Sequence, residues 1–232
     1  MADDKLYDVW WTGEEERSED AMERGHSSHW KLFIDMIEES DLSEYSVMDF
    51  GCNQGAFLRF LYEQRPFKQG LGIDLAQKSI ETAAARKGTL PIEYEATGNP
   101  ETHEGEIDIA FSMMVIYLLE DLPQHAAKLK KILRPGGVYY ASFTEYIKSP
   151  AIWELTKDIA VNTAISMQFH SLSDIASAFR NEGFNVSLRR MQPSGYIDVT
   201  SQGSWASDLS ERMRLSYDLA YMFRFTAPQR PE

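Results

Sequence analysis

The chain has 232 residues, 43% hydrophobic and 12% aromatic, enough to bury a substantial core and to exclude global disorder. Its net charge of −13, with no basic cluster, argues against a nucleic-acid partner, since affinity for a polyanion rests on Lys and Arg. No stretch approaches the roughly 20 apolar residues of a membrane span, and a single cysteine, Cys52, excludes an internal disulfide and a thiolate zinc site.

In chain order, residues 1–50 carry fifteen acidic and four basic residues, so most of the charge sits in the lead-in. The opening Met1-Ala2-Asp3-Asp4-Lys5 lacks the apolar region of a secretory signal, and a cytoplasmic protein is expected. Residues 14–20 read as a solvated acidic face. Residues 1–44 form a polar and aromatic lead-in, ending in a helix near 30–39 with Leu32, Phe33, Met36 and Ile37 as its apolar positions. A strand over 45–50, a Gly-containing turn and a helical run through Phe57 and Leu61 follow. A second strand over 70–74 leads into a helix over 76–86. Further strands are predicted at 92–95, 107–112 and 138–143, with a helix over 122–133. This alternation predicts right-handed crossovers and a parallel sheet covered on both faces.

The last third departs from simple alternation. An extra helix is predicted over 150–166, with Pro150 in its first turn. Ser171 or Ser173 caps a helix that stops at Gly183. Strands are predicted at 184–190 and 221–226. Between them lies an insertion over 192–217, with a short strand at 196–200 and a helix at 205–216.

The sharpest chemical signal is Asp49-Phe50-Gly51-Cys52-Asn53-Gln54-Gly55 between a strand and a helix. Glycine at 51 and 55 allows close approach of backbone to a ligand, and the following helix presents free N–H groups. Asn53 stands where a third glycine would fit, and Asn tolerates positive φ. Asp74 ends the second strand beside this turn, where a carboxylate accepts hydrogen bonds from two ribose hydroxyls. A nicotinamide fingerprint would require glycine at 53.

Asp49-x-Gly51-x-Asn53-x-Gly55, Asp74 and Leu133-Arg134-Pro135-Gly136-Gly137 together resemble the class I S-adenosylmethionine-dependent methyltransferases. The resemblance covers about 45–143 well and extends more loosely to 226. It implies an α/β fold, a doubly wound, mostly parallel seven-stranded sheet with its last strand antiparallel beside the preceding one. One domain over 1–232 is expected: a cap or lid (1–44), a cofactor-binding core (45–143), a helical insertion (144–170), and completion of the sheet (171–226).

The resemblance assigns roles residue by residue. Gly51, Asn53 and Gly55 would lie under the methionine and ribose of S-adenosylmethionine, with Asp49 near its amino group. Asp74 would hold the ribose and Leu75 the adenine, while Ser112, Met113 and Tyr117 would line the methionine side. For the adenine amine the candidates are backbone groups at Ala96 and Thr97, or a shifted Glu95 or Asn99.

Histidines are the candidate proton acceptors. His26 and His29 lie on the lead-in that would close over the cofactor, and His170 precedes a helix near the sheet's carboxyl edge. His103 and His125 read as surface residues, in a polar loop and on a surface-like helix. Trp11, Trp30 and Tyr146 are candidate substrate contacts. Methyl transfer to an oxygen, nitrogen or carbon of a small molecule is the expected function, leaving S-adenosylhomocysteine, with a monomer or homodimer and no metal. The alternatives are a non-catalytic S-adenosylmethionine-binding regulator and a protein methyltransferase.

Overall fold

The computed structural model describes residues 19–149, 156, 166–197 and 208–229. Trp11, nearly all of the helix expected over 150–166 and most of the strand expected over 196–200 lie outside the described residues.

Apolar residues recur along the first described helix, α1 (Glu19–Met36), at Trp30, Phe33, Ile34 and Ile37. They are buried because that spacing places them on one stripe. The helix begins eleven residues before the predicted start at 30. Its first turns are polar, so an apolar stripe could not reveal them. Strand β1 (Leu42–Phe50) leads to α2 (Ala56–Gln64), β2 (Phe67–Asp74), α3 (Gln77–Arg86), β3 (Ile92–Ala96) and β4 (Ile107–Ser112). Then come α4 (Leu122–Ile132), β5 (Leu133–Thr144), α5 (Leu172–Asn181), β6 (Asn185–Arg190), α6 (Leu209–Tyr217) and β7 (Ala220–Thr226).

The seven strands form one sheet in the order β3-β2-β1-β4-β5-β7-β6. Strands β1 to β5 are parallel, and β7 inserts antiparallel between β5 and β6. Successive strand residues face opposite ways, and both faces are buried. Met48, Ala110 and Tyr139 face α4 and α5, through residues such as Leu129 and Phe179. Their chain neighbours Val47, Ile109 and Tyr140 face α1 and α2, through Phe33 and Leu61. Unbroken apolar strands are what a sheet with two covered faces requires.

Ser171 caps α5 with a reciprocal pair: its hydroxyl accepts from the Asp174 amide while the Asp174 carboxylate accepts from the Ser171 amide. This resolves the choice between Ser171 and Ser173. The insertion helix begins at Leu209, capped by Asp208; Tyr196 and Ile197 are in no strand. Among the described residues, no helix is long and apolar enough to cross a membrane.

Candidate active site

Parallel strands carry their carboxyl ends to one edge of the sheet, and ligands of such folds bind outside that edge. Here β1 hands over to its turn beside the end of β2. The amides of Gly51 and Cys52 both donate to the Ile73 carbonyl, at 2.8 and 3.0 Å. Gly51, Asn53 and Gly55 have φ of +77°, +49° and +77°, so the turn passes three times through left-handed space. Asn53 takes the glycine-like position without a glycine.

The two glycines are not equivalent. A Cβ on Gly51 would lie 2.6 Å from the Val115 side chain, and one on Gly55 would lie 2.4 Å from the Tyr94 hydroxyl. Gly51 lines the cleft described below and Gly55 does not. Gly55 caps α2 under the Tyr94 ring, so its freedom serves packing and turn geometry.

Asp74 joins the turn to the next helix. Its Oδ2 accepts from the Asn53 amide at 2.8 Å and its Oδ1 from the Ala76 amide at 2.9 Å. Burial raises its carboxyl above the ordinary range, while those amides pull the other way. Each oxygen keeps a lone pair for a ligand. Asp49 is buried, its Oδ1 has no hydrogen-bond partner, and burial, with Asp74 beside it, pushes its carboxyl up to about 8.

These groups open into a cleft of about 770 Å³, within the usual size range of small-ligand sites. Of the cofactor candidates, Asp49, Gly51, Asn53, Asp74 and Leu75 line it, as do Thr97, Met113 and Tyr117. Ala96 does not. The next residues, Gly98 and Asn99, do, while the Glu95 carboxylate pairs with His103 Nε2 at 3.0 Å. Ser112 is fully buried and does not line the cleft. Tyr117 reaches the cleft from a 3₁₀ turn, Ile116–Leu118, and burial pushes its hydroxyl up to about 12.

His26, His29 and Trp30 all line the cleft from α1. The His26 ring stacks on Trp30 at 6.0 Å. His29 Nε2 is buried with no hydrogen-bond partner. Burial, with a smaller contribution from His26, pushes the imidazole down to about 4, so it is neutral at pH 7. The remaining candidates are not brought into this group. His170 lies 2.6 Å by its Nε2 from the Leu119 carbonyl and does not line the cleft, because that contact ties its loop to the chain after the 3₁₀ turn. Tyr146 sits behind Tyr117, ring to ring at 6.1 Å, in a small cluster with Met167 and Leu215.

Of the two histidines expected on the surface, one is elsewhere. His125 is buried, its Nε2 3.2 Å from the Tyr139 hydroxyl, and its ring packs against Phe50 at 4.6 Å. Burial pushes it down to about 3, helped by Lys128. It lines the cleft, as do Gln124 and Lys128 from the same helix face. The periodicity held the signal: Leu122, His125, Ala126, Leu129 and Ile132 are the buried stripe of α4. His103 is partly buried and lies between Glu95 and Glu106. Among the described residues no cluster of His, Cys, Asp and Glu could hold a metal.

A seven-stranded sheet of this order, with a glycine turn after its leading strand and an aspartate bridging that turn to the next helix, defines a Rossmann-like methyltransferase fold. Residues 22–188 match the methyltransferase domain family. The chain belongs to this family, the class I S-adenosylmethionine-dependent methyltransferases.

A nocamycin O-methyltransferase from Saccharothrix syringae is 32% identical over 98 residues, covering 39% of this chain and 35% of that protein. The chain spans about a third of the length of the curated relatives it matches. A methyltransferase from Haloferax volcanii, solved with the Trm112 methyltransferase activator, superposes with a TM-score of 0.77 at 20% identity, covering 90% of this chain and 93% of that one. The geranyl diphosphate C-methyltransferase of Streptomyces coelicolor A3(2), solved with Mg2+, geranyl diphosphate and S-adenosyl-L-homocysteine, gives 0.68 at 11%, covering 94% and 88%. At these identities the structures establish the fold.

Proposed function

We propose that the chain transfers the methyl group of S-adenosylmethionine to an oxygen, nitrogen or carbon nucleophile of a small molecule. One observation carries this reading: the glycine turn, the bridging Asp74 and the buried Asp49, one of whose oxygens is unpartnered, all line the same cleft. The donor set fits the cofactor. Asp49 suits its ammonium, Asp74 its ribose hydroxyls, and Leu75 with Thr97–Asn99 its adenine. The nocamycin O-methyltransferase and the geranyl diphosphate C-methyltransferase, both named for small-molecule acceptors, add support for the acceptor class.

When bound, the cofactor supplies a methyl group on a positively charged sulfur, open to in-line displacement. The protein's share is alignment and exclusion of water, which together contribute several kcal/mol. Trp30, Phe57 and Met113 form an apolar wall, and α1 holds that wall in place. The Arg59 guanidinium donates to the Glu23 carboxylate at 2.5 Å and to the Gln54 carbonyl at 2.7 Å, tying α1 to the cofactor turn.

The test is calorimetric. Asp74→Ala should weaken S-adenosylhomocysteine binding at least tenfold, because each charge-assisted hydrogen bond contributes about 1.5–3 kcal/mol before solvent screening. The Asn53 amide also loses its acceptor, so the turn itself loosens. Unchanged affinity, or tighter binding of NADH than of S-adenosylhomocysteine, contradicts the assignment. Transfer of labelled methyl from S-adenosylmethionine into a small-molecule extract then identifies the acceptor.

We place the protein in the cytoplasm as a monomer or homodimer, without a nucleic-acid partner. The acidic balance supports the last point, and tRNA should show no gel shift at about 0.15 M salt. Micromolar affinity would reverse it.

A further inference from the structure

The two ends of the cleft differ in chemistry. Toward β2 and β3 the lining is polar, with Asp74, Thr97 and Asn99, and the Lys128 ammonium there donates to the Gly98 carbonyl at 2.9 Å. Across the cofactor turn, the walls are Trp30, Phe57, Met113, Met114, Tyr117 and Leu118. Among the described lining residues, Lys128 is the sole ammonium or guanidinium, and it is engaged at the polar end. A carboxylate or phosphate placed at the apolar end would therefore be buried without a cation from these residues, which is strongly unfavourable.

The apolar end nevertheless carries an unpartnered polar atom. His29 Nε2 is buried, has no hydrogen-bond partner and belongs to a residue lining the cleft. Native structures rarely leave such an atom unpaired without a functional reason. The helix that carries it is fixed by the Arg59–Glu23 pair and by Trp30, which packs on Phe57 at 6.3 Å and Phe60 at 5.8 Å. A ligand donor that draws the His29 ring toward the cleft would satisfy the acceptor that the fold leaves unpaired.

We infer that the methyl acceptor is a largely apolar molecule without an anionic group, bearing one O–H or N–H, and that His29 Nε2 accepts that hydrogen bond and then its proton. This rests on the methyl-transfer reading above. The acceptor's heteroatom lone pair forms the new bond to the methyl carbon, and the methyl–sulfur bonding pair returns to sulfur. The acceptor's proton passes to Nε2 and from there to solvent. A positive charge is lost at sulfur and one is gained on the imidazole, so the cleft's total charge does not change during transfer. That constancy suits a site of low polarity.

The experiment uses the full chain loaded with S-adenosylhomocysteine, and three probes: 2-naphthol, 2-naphthoate and naphthalene. 2-Naphthol should bind saturably, with 2-naphthoate at least tenfold weaker, and 2-naphthol should shift the His29 Nε2 nitrogen resonance. His29→Ala should weaken 2-naphthol by about three- to tenfold, the effect of one neutral hydrogen bond, and leave naphthalene unchanged. Naphthoate binding as tightly as naphthol overturns the inference, as does an unmoved His29 resonance or the absence of saturable naphthol binding. The wild-type comparison of probes stands even where the alanine variant fails to fold. If S-adenosylhomocysteine itself does not bind, the methyl-transfer reading falls; if it binds and naphthoate is preferred, only the acceptor class falls.

Discussion

Gly55→Ala is expected to lower the melting temperature by of order 10 °C and to reduce S-adenosylhomocysteine binding below detection. Two costs add. Left-handed backbone at φ +77° and the forced overlap with Tyr94, whose hydroxyl lies 2.4 Å from the new Cβ, together amount to about 2–5 kcal/mol. Tyr94 cannot simply turn aside. Its hydroxyl donates to the Gly55 carbonyl at 3.2 Å, and its ring also crosses Gly72, where a Cβ would lie 2.5 Å from it. The strain is relieved only by moving the turn, and moving the turn breaks the Asn53–Asp74 contact. Gly25→Ala is the control. It lies in α1 with nothing within 4 Å of its Cβ, and alanine there should stabilise by up to about 1 kcal/mol. Equal melting temperatures for wild type and Gly55→Ala would show that Tyr94 yields more easily than its two contacts imply.

Those two glycines also show what the sequence conveys and what it hides. Asp49-x-Gly51-x-Asn53-x-Gly55 between a strand and a helix identifies the turn, and Asp74 its partner, because both depend on local backbone geometry. The sheet's core strands were legible for the same reason: apolar runs such as 109–111 and 138–141 call for two covered faces. What stands next to a glycine is another matter. Tyr94 and Val115 come from different strands and loops, and nothing near residue 55 announces them. The polar start of α1 was hidden because an amphipathic stripe is visible only where apolar residues occur.

The histidines divide along the same line. His26 and His29 were ranked through their place on the lead-in, and both line the cleft. His125 was misread by its polar neighbours, although it falls on the apolar stripe of its own helix, three residues after Leu122 and four before Leu129. Periodicity weighed above local polarity would have put it inside. His170 and Tyr146 could not be placed from sequence, since a residue near the sheet's carboxyl edge can face the cleft or turn behind it. His170 meets the Leu119 carbonyl and Tyr146 the back of Tyr117, contacts made across long stretches of chain.

Cofactor affinity should rise nearly tenfold from pH 6 to 7, about fivefold from pH 7 to 8, and then level off. The cause is Asp49, whose carboxyl is pushed up to about 8 by burial and by Asp74 beside it. In the empty protein at pH 7 it mostly holds its proton. A cationic ammonium beside the unpartnered Oδ1 favours the carboxylate, so binding must expel that proton, and the cost of doing so falls as the pH approaches 8. Calorimetry at pH 7 in two buffers of different ionisation enthalpy should show roughly 0.9 proton released per S-adenosylhomocysteine bound. The sign for stability is opposite. A carboxyl whose folded pKa is raised binds more protons folded than unfolded, so the empty protein loses stability as pH rises toward 8, and the gain in melting temperature from the ligand grows over the same interval. His29 and His125, pushed down to about 4 and about 3, are neutral in the folded protein with or without ligand throughout this window, so they contribute nothing to the slope of affinity. His103 is raised by Glu106 and Glu95 although its partial burial opposes this, and Asp49→Asn separates the two groups: it should abolish the proton release and flatten the affinity profile, leaving any His103 titration in place. Proton uptake on binding, or a slope that survives Asp49→Asn, would mean that the ammonium is held elsewhere and that the buried oxygen of Asp49 serves the fold.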